Sequence, residues 1–333
     1  MIELTLPEIA LMNRVLREAA LLARAIQDES SAFNLTKDDR SPVTVADFTI
    51  QAVVARRLCD AFPGAVLVAE ERAARLREPE QAEMLATIAA YAARVIPGAT
   101  GSAVCDWIDY GVGEPGDRFW TLDPIDGTKG YRRGGQYATA LALIENGMVR
   151  CGGLACPVMA ADCDATATGG GILALATRGG GAWYTLLDKN SAPFMPLSVS
   201  PCAESARARL MRSFESGHTN VEALEAVADR LGIPRDQCVR MDSQAKYLCM
   251  AAGKAELLFR LLSPDRPDYR ECIWDQAAGS LIIEAAGGKV TDMRGNSLDF
   301  SSGRKLTNNI GVFASNGYLH DVGLAALEHI LTT

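Results

Sequence analysis

No stretch of this chain approaches the roughly 18 uninterrupted apolar residues that a membrane span needs. The opening 27 residues, which superficially resemble a targeting segment, are interrupted by Glu3, Glu8, Arg14, Glu18 and Arg24 at helical spacing, so they read as an amphipathic first helix ending near Gln27. A basic excess is also missing: 33 Lys and Arg against 41 Asp and Glu leave a formal net charge of −8. Polymeric nucleic acid needs a basic surface and is therefore excluded as a main partner. A small phosphorylated substrate stays compatible, provided that bound cations and a few local Arg or Lys residues invert the field at its site. The nine cysteines, at 59, 105, 151, 156, 163, 202, 238, 249 and 272, contain no C-x-x-C pair. An odd, dispersed set implies reduced thiols in a cytoplasm, most of them small buried hydrophobes, and none is assigned to metal or catalysis. Internal repeats and low-complexity segments are absent.

What is present is an ordinary soluble composition, 48% hydrophobic and 22% charged over 333 residues, long enough for about two domains. A second helix is expected over Ser41 to Leu58, with Thr44 of SPVT as its cap. AVLVAEE, Ala65 to Glu71, reads as a short buried strand ending in two carboxylates. A mostly helical, charged insertion spans about Pro79 to Tyr110, followed by the strand FWTLD. Then come YATALALIENG, VRCGGLACPV, GILALATRGGGAWY and PLSVS, strand-like pieces with glycine punctuation, as in an antiparallel sheet. Past Val199 strands and helices alternate: RARLMRSF, a helix near Val221 to Leu231, CVRMDS, LLFRLL, a helix from Asp275 and the strand GVFAS. We therefore expect an α+β domain over 1–198 and an α/β domain over 199–333.

The segment WTLDPIDGTKGYRRGGQ, Trp120 to Gln136, places Asp123 and Asp126 around a proline and an isoleucine. Asp-Pro and Asp-Gly are strong turn dipeptides, so a plain turn is one reading. The other is a metal site, with two carboxylates and a carbonyl at a strand end and the amides of Gly127 and Thr128 turned to a phosphate. Further ligands would come from Glu70, at the end of a buried strand, from Asp275 in IWDQAAGSLIIEAAGG, and from Asp47 on the second helix. Each has an ordinary alternative: Glu70 and Glu71 as a surface acidic pair, Asp275 as a helix cap, Asp47 as a helix-surface charge.

Taken in order, VTVAD, AEE, LDPIDGT, WDQAAG and the closing EAAGG and VTD resemble the magnesium-dependent, lithium-sensitive phosphomonoesterases of the inositol monophosphatase superfamily. Within it, SPVTVADFTIQAVV, FWTLDPIDGTKGYRRGGQYATALALIENG, ACPV, ESGH, DSQAKY, AGKAELLFR and IWDQAAG are similar to the 3′(2′),5′-bisphosphate nucleotidases, over about Arg40 to Ser315. The resemblance implies a layered αβαβα sandwich of the inositol monophosphatase and fructose-1,6-bisphosphatase type. It also implies two or three Mg²⁺ ions held by Glu70, Asp123, the carbonyl of Ile125, Asp126 and Asp275. Hard oxygen ligands suit Mg²⁺, which retains several waters, and one of these is the expected nucleophile.

By the same resemblance Thr128 orients that water and Asp47 accepts the threonine proton, a relay contributing on the order of 10²–10⁴-fold. The Gly127 and Thr128 amides would cradle the phosphate. His218, Ser243, Lys246 and Arg260 match substrate-contact positions, the two cations suiting a second phosphate. Read without the resemblance, His218 is an ordinary loop histidine, Lys246 a solvated helix lysine and Arg260 a surface arginine. The implied activity is hydrolysis of the 3′-phosphate of adenosine 3′,5′-bisphosphate to AMP, and of the sulfated 3′-phosphoadenylyl form, in sulfate assimilation. Alternatives are an inositol phosphate phosphatase or a catalytically silent nucleotide sensor. A cytoplasmic monomer without membrane attachment is expected. The sequence departs from the family pattern at Ala69, where glycine is usual, at Gln276, where histidine is common, and in the loop PDRPDYRE, Pro264 to Glu271.

Overall fold

The computed structural model describes residues 3–32, 45–165, 167–189, 191–214 and 220–332. The expected Thr44 cap and His218 lie outside the described residues. Helix α1 (Pro7–Ala32) continues past Gln27, since neither glycine nor proline follows and Glu29 is held by Arg94 and Tyr91. Helix α2 is described over Val45–Ala61, three residues beyond the expected end at Leu58. Strand β1 (Leu67–Ala69) is shorter than the expected Ala65 to Glu71, and both glutamates lie just beyond it. The segment after it holds two short 3₁₀ turns and helices α3 (Ala82–Ala93) and α4 (Gly101–Asp109).

Strand β2 (Arg118–Asp126) and the five-residue helix α5 (Thr128–Arg132) carry the aspartate motif. β3 (Ala138–Glu145), β4 (Met148–Cys156), β5 (Ile172–Thr177), β6 (Gly181–Leu186) and β7 (Met195–Pro196) complete a seven-stranded sheet in sequence order. Apart from the parallel β1–β2 pair, its neighbours are antiparallel, as the glycine-punctuated strands suggested. The expected strand over PLSVS is reached by β7 only at Pro196. From Leu197 its amides bond singly elsewhere, Leu197 to Ala182 and Val199 to Ala286.

A second, five-stranded sheet is formed by β8 (Leu210–Arg212), β9 (Cys238–Arg240), β10 (Leu257–Arg260), β11 (Lys289–Thr291) and β12 (Val312–Ser315), in the order β11-β12-β10-β8-β9. Helices α6 (Val221–Leu231), α7 (Ala245–Ala251), α8 (Ala277–Ala285) and α9 (His320–Thr332) accompany it. The helix expected from Asp275 is two elements: a 3₁₀ turn over Ile273–Asp275, then α8.

Alternation along the strands sorts the side chains into three cores. Leu122, Leu141 and Leu143 face α1, α2, α3 and α4. Their neighbours Ala140, Ala142 and Ile144 face α7 and α8, which are covered on their other side by Leu258, Val290, Val312 and Ala314 of the second sheet. Leu257, Phe259 and Phe313 turn outward to α6 and α9. The result is a layered αβαβα sandwich. Because α8 has a sheet on each side, Leu281, Ile282 and Ile283 are all buried, each contributing about 1.5–3 kcal/mol. Close approach is made possible by glycine: a Cβ on Gly152 of β4 would lie 3.1 Å from the Ala278 carbonyl, and one on Gly153 would lie 2.4 Å from Leu16 Cδ1.

The central layer gives a stability test. A Cβ on Gly279 of α8 would sit 2.4 Å from Cδ2 of Tyr247, a ring that the core cannot move aside. Gly279→Ala should therefore destabilise the protein by about 1–3 kcal/mol, read as a lower urea midpoint. An unchanged midpoint would contradict the tight α7–α8 packing.

Candidate active site

Side chains three apart on a regular strand point to opposite faces. In β2 the pairing with β3 runs from Asp123 opposite Ala140 to Asp126 opposite Ala138, so one extra residue sits on the β2 side. Pro124, which has no N–H to give the ladder, lies in this bulge, and its carbonyl accepts from Thr139 Oγ1 at 2.8 Å. The bulge brings both aspartates to one side. One carboxylate oxygen from each of Asp123, Asp126 and Asp275 lies within 4.8 Å of the others. Asp275 reaches them from the 3₁₀ turn. It does not cap α8, whose flanking residue is Gln276, so the helix-cap alternative fails.

Glu70 follows β1 at the rim of the same cleft, beside Asp123. Asp47 is 1% exposed in the first turn of α2, which rules out a helix-surface charge. Glu71 is buried too, contrary to the surface-pair alternative. Gln51, one helical turn after Asp47, clamps its backbone: Glu71 N–H donates to Oε1 at 2.9 Å, and Nε2 donates to the Glu71 carbonyl at 2.8 Å. A methyl at Ala69 is accommodated because glycine at 111 leaves room; a Cβ there would lie 2.9 Å from Ala69 Cβ.

So many carboxylates in one cleft shift each other. Burial, then Glu70, Asp126, Asp275 and Asp47, hold the Asp123 carboxyl well above its ordinary range. Burial followed by Glu271 and Asp126 does the same for Asp275. Asp126 is raised by burial and partly relieved by Lys246, by the Gln244 N–H that donates to its Oδ2, and by Arg260. Loss of hydration raises Glu70, with Glu71, Asp47 and Asp126 adding to it, and burial with Asp47 pushes Glu71 up to about 8. Among the described residues, Asp123 Oδ1 is buried with no hydrogen-bond donor. A buried orphan oxygen in an all-oxygen acidic set fits a hard divalent cation, which would supply the missing partner.

After Asp126 the chain turns through Gly127, whose φ of 86° is the left-handed conformation. A Cβ there would also meet Ser243 Cβ at 2.7 Å. Helix α5 then begins at Thr128, so its first amides have no helical carbonyl behind them. Thr128 Oγ1 donates to the Ile125 carbonyl at 3.2 Å, joining two of the expected site groups. Asp47 lies within electrostatic reach of Glu70, Glu71 and Asp123.

Of the expected substrate contacts, Ser243, Lys246 and Arg260 come from the second sheet's side. Ser243 adopts φ 63° and packs on Gly127, while Asp242 pairs with Arg133. Lys246 is not a solvated lysine: it is 3% exposed, and burial with the Arg260 charge lowers its ammonium to about 8 against the pull of Asp126, Asp242 and Glu271. Nor is Arg260 a surface arginine. Nε and Nη2 donate to the buried Glu271 at 3.1 and 2.7 Å, and although burial acts to lower its pKa, Glu271 keeps it raised. Glu271 also accepts from Gln276 Nε2 at 3.0 Å, and Gln276 Oε1 accepts from Tyr247. Glu71, Gln51 and Glu271 were not among the site residues expected from sequence. The i+4 spacing of Gln51 from Asp47 was the one available signal.

The model of the inositol monophosphatase family matches residues 8–332. The chain is 38% identical to a 3′(2′),5′-bisphosphate nucleotidase of Emericella nidulans, over 95% of this chain and 96% of that one. It is 39% identical to one of Schizosaccharomyces pombe, over 87% and 84%. Among solved structures, Thermotoga maritima IMPase superposes with a TM-score of 0.60 at 20% identity, covering 96% of each chain, a likeness of fold.

The sign of the pH dependence follows from linkage. A carboxyl whose folded pKa exceeds its unfolded value takes up a proton on folding, so its stabilisation is present below about 4 and lost as pH rises. For Glu71 the loss is complete above about 8. In chelator, the protein should melt at a lower temperature near pH 8 than near pH 6, and Mg²⁺ should raise the melting temperature more at the higher pH. An equal Mg²⁺ effect at both would contradict the raised carboxyls.

Proposed function

The chain belongs to the inositol monophosphatase family, and we propose that it is a metal-dependent phosphomonoesterase that removes the 3′-phosphate of adenosine 3′,5′-bisphosphate, giving AMP and phosphate. The sulfated nucleotide is a second proposed substrate. One observation carries the chemistry: the convergence of Asp123, Asp126 and Asp275, with an orphaned Asp123 oxygen, in a chain whose nearly full-length relatives are bisphosphate nucleotidases.

Glu70, Asp123, the Ile125 carbonyl, Asp126 and Asp275 would hold two or three Mg²⁺ ions. When bound, Mg²⁺ neutralises phosphoryl and leaving-oxygen charge and eases deprotonation of an attacking water. The remaining work falls to the chain. Thr128 orients the water through its hydroxyl, and Asp47, kept dry at the start of α2, accepts the proton. Gly127 and the open first turn of α5 aim backbone N–H groups at the phosphate.

The second phosphate is assigned to Lys246 and Arg260, with Glu271 fixing the guanidinium's orientation. Ser243 and His218 are assigned to the nucleotide. All these groups come from one chain, so a monomer suffices. No helix among the described residues is long and apolar enough to cross a membrane. The nine free cysteines suit a reducing cytoplasm.

Asp123→Asn and Asp275→Asn should each lose most turnover while remaining folded by circular dichroism. Near-normal phosphate release by either at saturating Mg²⁺ would remove the metal assignment. For specificity Lys246→Ala is a cleaner probe than Arg260→Ala, which would strand the buried Glu271 charge. Losing one charge-assisted hydrogen bond costs about 1.5–3 kcal/mol, so kcat/KM for the bisphosphate should fall about 10–150-fold, and far less for adenosine 3′-monophosphate. Equal losses on both substrates, or a higher kcat/KM for inositol phosphates in wild type, would overturn the substrate assignment.

A further inference from the structure

Arg304 lies in the loop between β11 and β12, yet its side chain reaches across to the first sheet. Nη2 donates to the Ala69 carbonyl and Nη1 to the Gly113 carbonyl, the latter at 3.3 Å. The same guanidinium stands over the Trp274 ring, 5.0 Å from its centroid. Its own backbone carbonyl accepts from Ile273 N–H at 3.1 Å, and the next turn of loop is fastened where Leu306 N–H donates to Glu271 at 2.9 Å. Ala69 is the residue before Glu70, and Trp274 is the residue before Asp275. A single half-buried side chain therefore grips the backbone leading into one acidic group and the ring leading into another.

These two groups have reason to separate. Glu70 and Asp275 leave elements of different layers and carry the same charge. β1 is three residues long and the 3₁₀ turn belongs to another layer, so neither element spans the gap between them. We propose that Arg304 is a positioning residue that fixes the spacing of Glu70 from Asp275 before a cation enters. Arginine is suited to this because its planar fork can serve two carbonyls with its edge while its face stacks on an indole. Lysine has one compact ammonium and cannot do both. The proposal rests on the reading of the acidic cluster as an Mg²⁺ site.

The test is Mg²⁺ affinity measured by calorimetry on folded, metal-free protein, with the melting temperature in chelator recorded beside it. Partners that orient metal ligands typically contribute about 10–100-fold to affinity, and Arg304→Met should lose that much. Arg304→Lys, which keeps one donor, should fall in between. In activity assays the Mg²⁺ concentration for half-maximal rate should rise by the same factor, while kcat at saturating Mg²⁺ largely recovers. A role confined to packing would lower the melting temperature and leave affinity in place, so unchanged Mg²⁺ affinity overturns the proposal. Should Arg304→Met fail to fold, Arg304→Lys decides alone: an affinity equal to wild type overturns it. Failure of wild type to bind Mg²⁺ would instead bring down the metal-site reading, and this inference with it.

Discussion

Mutual repulsion among carboxylates is the constraint around which this protein is arranged. Two like charges 4 Å apart repel by about 4 kcal/mol at an effective dielectric near 20, and Asp47, Glu70, Asp123, Asp126 and Asp275 are all within electrostatic reach of one or more of the others. The carboxyls of Glu70, Asp123, Asp126 and Asp275 hold protons more tightly than free side chains, a cost that folding in the absence of cations must absorb. A divalent cation converts the same charges from a liability to a binding site. The unmatched Asp123 oxygen marks where such a partner belongs.

Holding these groups together takes elements from most of the sandwich. Asp47 comes from an outer helix, Glu70 and the aspartate pair from neighbouring strands of the first sheet, Asp275 from the turn into the central helical layer. Cross-ties then lock the layers in register. Gln51 holds the backbone of Glu71, Gln244 N–H donates to Asp126, and Arg133 pairs with Asp242 across the cleft. Behind the cleft, Arg260, Glu271, Gln276 and Tyr247 form a buried polar chain in which each link occupies the next. A glutamine at 276 fits here because it donates to Glu271 and accepts from Tyr247 at once.

Much of this was legible in the sequence, for reasons that can be named. The glycine-punctuated strands from Tyr137 onward and the helix Val221–Leu231 carry strong local signals, and the ordered motifs carry the family. What local signals missed are effects of tertiary placement. β1 stops at Ala69 because the chain turns into the cleft. Helix α2 offers no pattern that separates a buried Asp47 from an exposed one. The bulge at Pro124 is read only from pairing with β3, and without it Asp123 and Asp126 would be assigned to opposite faces. Glu271 sits in a proline-rich loop that looked peculiar because its meaning lies in Arg260, eleven residues earlier. Arg304 had no sequence cue, since its contacts with Ala69, Gly113 and Trp274 are all with distant segments.

The most direct measurement is anomalous diffraction from crystals equilibrated with Mn²⁺ as a stand-in for Mg²⁺. Peaks are expected between Glu70, Asp123, Asp126 and Asp275, within coordination distance of their carboxylate oxygens, with one beside Asp123 Oδ1. Crystals that bind Mn²⁺ elsewhere, or hold none in this cleft at millimolar concentration, would contradict a metal centre there.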